Sequence, residues 1–215
     1  MRYMGSDNLG AMKIKIKVPT DAISTAGRSA EDLALGALIG GNLFGRVAMH
    51  PALADVSDQA ERGKVLNRAW RRYGNVESLA LATLVAQWLP ARRNRRSLCP
   101  REQRLMLAKD VALSTLVVTG LATAACGVGF AQQAPGGAVP MKSGFDTSPE
   151  APARAATMKH IVNALSAINL AAGVAVVAVD SALTQAHLRQ APLRKLLRGL
   201  TELGVLVRKL SPGAK

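Results

Sequence analysis

One stretch limits what the rest of this chain can fold into: Val111 to Ala131, VALSTLVVTGLATAACGVGFA, 21 residues without a charge. As a helix rising about 1.5 Å per residue it would reach roughly 32 Å, close to the hydrocarbon thickness of a bilayer. A helix on the surface of a soluble protein carries a polar stripe, and here only Ser and Thr break the apolar surface. The stretch predicts a transmembrane helix.

Three further segments follow the same logic. Ile161 to Val179 is uncharged over 19 residues. Leu33 to Met49 is apolar apart from Asn42 and Arg46, and holds Gly36, Gly40, Gly41 and Gly45. Those glycines form two small-xxx-small pairs, 36/40 and 41/45, a pattern that weakens a helix in water but lets helix backbones approach closely in lipid. Val76 to Leu89 is apolar apart from Glu77 and Gln87, and follows the charged stretch 58–72 in what reads as one helix up to Pro90. Trp70, Tyr73 and Trp88 stand where an aromatic belt would lie. The expected fold is all-α: an integral membrane antiparallel four-helix bundle. Its spans are about 33–50, 74–90, 105–131 and 160–182, inside a domain of 29–188. Residues 1–28 read as a basic arm that lacks the apolar core of a secretory signal. Residues 189–215 read as a basic amphipathic helix lying in the membrane interface. A soluble Ala-rich bundle is the alternative fold.

Charge sets orientation. The net charge is +14, from 28 Lys and Arg against 14 acids, while aromatics make up only 3% of residues. Basic residues without interleaved aromatics argue against nucleic acid as the partner. With four spans both termini share a side, and 18 of the Lys and Arg fall there, including those of the 91–104 loop. The opposite side holds 8, and Arg46 and Lys109 lie within spans. The positive-inside rule places both termini in the cytoplasm. The expected partners are the bilayer, anionic headgroups at the C-terminal helix, and a second copy or another membrane protein. Cys99 and Cys126 match neither a disulfide framework nor a zinc motif and read as thiols.

Ionisable groups inside a membrane are costly, so each is a functional candidate. Arg46, His50, Glu77 and His160 all fall near the outer ends of their spans and are the candidate catalytic residues. His50 and His160 are also the candidate metal ligands, since two imidazoles with a carboxylate can hold a transition metal. Arg46 and Glu77 are expected to pair between the first two spans. At the inner end, Lys109 is expected to snorkel to the cytoplasmic face and Asp110 to meet a basic group of another helix. Thr115, Thr119, Thr123 and Cys126 recur along one face of the third span and should look into the bundle. No P-loop, GxGxxG, GxSxG, HExxH or CxxC is present, so no motif names a cofactor.

The runs LFGRVAMHPAL (43–53), ERGKVLNRAW (61–70) and QQAPGGAVP (132–140) are similar to a group of actinobacterial four-span membrane proteins of unassigned activity. More distantly, a Gly-rich first helix running into His50-Pro51 resembles small membrane proteins of the anthrone-oxygenase-like kind. The first likeness implies a multi-pass protein of a bacterial cytoplasmic membrane. The second implies a cofactor-free or metal-assisted oxygenase. Two functions stand side by side: a non-enzymatic accessory or assembly partner, and a small membrane-embedded oxidoreductase with an outer-side site near His50 and His160. A transporter ranks behind both, because no inverted repeat shows.

Overall fold

The computed structural model describes residues 20–93 and 99–210, with side chains over 25–90, 92 and 99–186. Four long helices carry the fold: α1 (Thr20–Phe44), α2 (Gln59–Arg93), α3 (Pro100–Ala131) and α4 (Ala153–Leu210). No strand occurs among the described residues. Two of the helix starts have a clear local cause. The Asp58 carboxylate accepts from the backbone N–H of Ala60 (2.7 Å) and Glu61 (3.0 Å), capping α2. Those two bonds, the Glu61 one foremost, hold the Asp58 carboxyl below its ordinary range. Pro100 stands at the first position of α3, and the Glu102 carboxylate reaches back to the Cys99 N–H at 3.1 Å. Beyond α1 the chain passes through a π-helical turn (Gly45–Met49), one α-turn (His50–Ala52) and a 3-10 turn (Leu53–Asp55). Pro51 lies in this irregular stretch; it has no N–H to offer the carbonyl a turn earlier, and π turns accommodate such gaps.

Consecutive helices run antiparallel. Gly27 faces Gln87 across α1 and α2, Trp88 meets Asp110 across α2 and α3, and Lys109 meets Asp180 across α3 and α4. The helices enclose one core built on Leu35, Leu38, Leu84, Leu113, Leu116 and Val176. The segment 132–152 folds over the α1–α2 turn end of the bundle as a cap with its own core, where Val139, Met141 and Ala155 are fully buried beside Leu53, Leu66 and Phe130. A backbone bond seats it on α2, Met141 N–H donating to the Gln59 carbonyl (2.9 Å), and within the cap Ser148 N–H donates to the Pro140 carbonyl (2.9 Å).

Several boundaries differ from expectation. α1 begins at Thr20, inside the stretch read as an arm; residues 1–19 lie outside the described residues. The backbone of α4 stays helical past the expected end of the fourth span near residue 182, to Leu210. The amphipathic face read after Pro192 belongs to side chains outside the described residues. Two helices, α3 and the Ala153–Ala186 part of α4, are long and apolar enough to cross a membrane. Large apolar side chains point outward from all four helices, among them Leu33, Phe44, Leu79, Val118, Leu121 and Val174. Trp70, Tyr73 and Trp88 do not form an outer belt. Trp70 and Tyr73 pack on Gly45 and Gly41, and Trp88 donates to Asp110 at 2.7 Å.

Polar rungs tie the helices together inside the bundle. At mid-height the Asn169 amide donates to the Leu116 carbonyl (2.7 Å) and to Thr119 Oγ1 (3.0 Å), joining α4 to α3. Thr119 is thus buried, as expected of the Thr/Cys stripe, and the Thr123 hydroxyl is buried as well. Asn169→Val should cost about 1 kcal/mol, the usual net worth of an intramolecular hydrogen bond. Thr119→Val added to it should cost little more; unfolding titrations of the two variants in detergent check both statements.

Candidate functional site

The end of the bundle beneath the cap gathers the groups with chemical potential. Arg46 leaves α1 in the π-helical turn and its guanidinium turns inward. Its Nε donates to Asn42 Oδ1 (3.0 Å), and its terminal nitrogen donates to the Asn163 carbonyl (3.0 Å) and to Ser166 Oγ (3.1 Å). Asn42 in turn donates to the Ser166 carbonyl at 2.9 Å. The cluster fastens α1 to α4. It also corrects the expected Arg46–Glu77 pair: Arg46 is satisfied by carbonyl, amide and hydroxyl oxygens of α1 and α4. Glu77 stays half-buried on α2, one turn beyond Tyr73, with no ion pair among the described residues.

One turn above Arg46 lies His50, buried at 6% exposure. Trp70 and Phe145 stand edge-on to its ring, with centroids 6.1 Å and 4.6 Å away. Neither ring nitrogen has a hydrogen-bond partner. Lys159 of α4 is buried nearby, its ammonium 6.0 Å from the Phe130 ring. The cap roofs this pocket of charge: Gly144 N–H donates to the His50 carbonyl (3.3 Å), and the Asn163 amide donates to the Phe145 carbonyl (2.8 Å). A Cβ on Gly144 would collide with His50, so only glycine lets the turn sit so low.

His160 is exposed on α4, while its neighbour Lys159 points inward. The two histidines therefore do not share a pocket, and no hydrogen bond or ring contact joins them among the described residues. Nor do three or more His, Cys, Asp or Glu gather in a metal-binding cluster among those residues. The helix explains this: adjacent residues project about 100° apart, so placing Lys159 inward turns His160 out. Of the four candidates, Arg46 and His50 are brought together, one above the other. Glu77 and His160 stay apart from them.

Sequence reasoning missed two participants. Lys159 was counted only as an outer-side charge, although its place just before an apolar run of small residues is where a buried cation could be sought. Phe145 lies in a Pro/Gly-rich connection whose packing has no local signal.

The opposite end of the bundle holds a second cluster. Lys109 Nζ stands 2.7 Å from both Glu31 Oε1 and Asp180 Oδ1, so it ties α1, α3 and α4 rather than snorkelling alone. Asp110 meets Trp88 and, at 3.9 Å, Arg92 of α2, the basic partner expected for it. These side chains are consumed in joining helices. Both cysteines are free thiols. Compared with known proteins, the chain matches no family model, no curated protein and no solved structure.

Proposed function

We propose that the chain is an integral membrane protein of four spans with both termini in the cytoplasm, and that its role is non-enzymatic: an accessory or assembly partner for other membrane helices. Large apolar residues facing outward on every helix support the lipid environment, since so much contiguous apolar surface drives aggregation in water. The excess of Lys and Arg on the side of the termini supports the orientation. The first span ends near Val47, its last exposed large apolar residue, leaving His50 and the cap on the outer side. The basic stretch 189–215 adds anionic headgroups as a second partner.

The observation that carries the assembly reading is the fate of the two glycine pairs. Gly41 and Gly45 are spent inside the chain, under Tyr73 and Trp70. Gly36 and Gly40 are exposed, and a Cβ on either would meet nothing within 4 Å. They share their face of α1 with exposed Leu33 and Leu43, at spacings of three and four. A shallow groove of this kind, flanked by apolar side chains, is how membrane helices bring backbones close.

A second copy is the occupant to test. Donor–acceptor labelled protein in vesicles should show energy transfer that rises with protein density. Gly36→Leu/Gly40→Leu should lower it at least ten-fold while leaving thermal unfolding unchanged, because the substituted side chains meet open space. Equal transfer in the variant, or none in the wild type, defeats the reading.

A further inference from the structure

His50 is held in a way that neither assembly nor fold stability calls for. Its ring is buried, neither nitrogen has a hydrogen-bond partner among the described residues, and it lies at one of the places where the cap rests on the bundle. The 143–146 turn makes that contact. Gly144 sits against the His50 backbone and Phe145 against its ring, while Ser143 Oγ accepts from the N–H of Phe145 and of Asp146 (both 3.1 Å) to hold the turn's shape.

The charges that act on the ring come from two directions. Lys159 faces it from α4 and Arg46 from its own segment, both cationic. From α2 it meets Trp70, which carries no charge. The cap contributes Phe145, and the neighbouring Asp146 acts on Lys159. An imidazolium here would need an acceptor for each of two N–H groups, would meet no protein acceptor among the described residues in the closed arrangement, and would stand beside two cations.

We propose that His50 and the 143–146 turn form a proton-operated latch on the outer side of the protein. With His50 neutral, the cap is closed. When the ring takes up a proton, the turn lifts so that water or an anion can reach both nitrogens, uncovering the polar cluster of Arg46, Asn163 and Ser166 below.

The sign of the pH dependence follows from burial. Burial foremost, then the charges of Lys159 and Arg46, lowers the His50 pKa from 6.5 to about 4 in the closed form. Once the cap opens and water reaches the ring, the ordinary value returns. The open form therefore binds the proton more readily between those two values. Closure is fully stable above about pH 6.5 and is lost progressively as the pH falls toward 4.

Hydrogen exchange on the full chain in lipid nanodiscs tests this, with rates corrected for the intrinsic pH dependence of exchange. Between pH 7 and pH 5 the protection of amides 141–148 should fall on the order of ten-fold or more. Amides around Leu113 to Leu116 should keep theirs. His50→Phe, whose ring preserves the contacts with Trp70 and Phe145 but cannot titrate, should make cap protection independent of pH. His50→Gln, a smaller residue that also cannot titrate, should do the same and serves if the Phe variant does not fold. A cap whose protection is flat with pH in the wild type overturns the latch. So does a folded variant that loses protection as the wild type does, or a loss shared equally by the α3 core.

Discussion

Lys109→Met should lower stability by about 3–5 kcal/mol, the usual cost of removing one member of a buried ion pair. The Lys109 side chain is 15% exposed and holds Glu31 and Asp180 at 2.7 Å each, with those carboxylates 18% and 30% exposed. Deleting the ammonium leaves two carboxylates from α1 and α4 facing each other at the junction of three helices. The penalty is repulsion and lost solvation, not only a missing attraction, so removing the acids should reverse it. Glu31→Gln/Asp180→Asn in the Lys109→Met background should recover most of the loss. The pair Lys64–Glu61, 40% and 46% exposed on the surface of α2, is the control: Lys64→Met should change stability by about 0.5 kcal/mol or less. Unfolding followed by tryptophan fluorescence, with Trp88 near the Lys109 cluster, reads all three. A Lys109→Met protein as stable as the Lys64→Met protein would show that the triad contributes nothing.

The contrast between these two lysines also marks what was legible in the sequence. The helices were legible because their signals are local: the uncharged run 111–131, Pro100 at the start of α3, and Asp58 ahead of α2. That Asp110 would meet a basic group of another helix was legible from the cost of burying a lone acid. Which residues satisfied the other charges was not. Arg46 was matched to Glu77 by counting charges, yet a guanidinium is satisfied as well by carbonyl and hydroxyl oxygens, which sequence charge does not register. The pointer was Asn163, Ser166 and Asn169, recurring every three residues at the start of the fourth span; two of them accept from or bracket Arg46, and the third binds α3. The two glycine pairs were visible, but nothing local distinguishes the pair covered by Tyr73 and Trp70 from the pair left bare. The cap was least legible, since its attachments run between residues 59 and 141 and between 63 and 139, far apart along the chain.

That long-range attachment makes Gly63 the sharpest test of the cap. Gly63 lies in the first turns of α2, where Ala would ordinarily strengthen the helix by about 1 kcal/mol. A Cβ there, however, would land on the Val139 carbonyl oxygen, a backbone atom that cannot swing aside. Gly63→Ala should therefore act in the opposite sense to its helix propensity and push the cap from the bundle. Val139 and Met141, both fully buried now, would return to water at a cost of about 2 kcal/mol each. The Asn67 amide would lose the Gly137 carbonyl, which it now meets at 2.7 Å. The expected result is rapid proteolysis within 132–152 with helix content unchanged, since the core around Leu113 and Leu116 lies below the cap. Gly74→Ala is the counterpart: its Cβ meets nothing within 4 Å, so the same chemical change in the same helix should leave the cap closed and stability equal or higher. In Gly63→Ala the cap is already displaced at neutral pH, so its exchange should no longer respond to acid. That outcome would tie the glycine under the cap and the histidine beneath its turn to one closing motion; a Gly63→Ala cap as protected as the wild type would separate them.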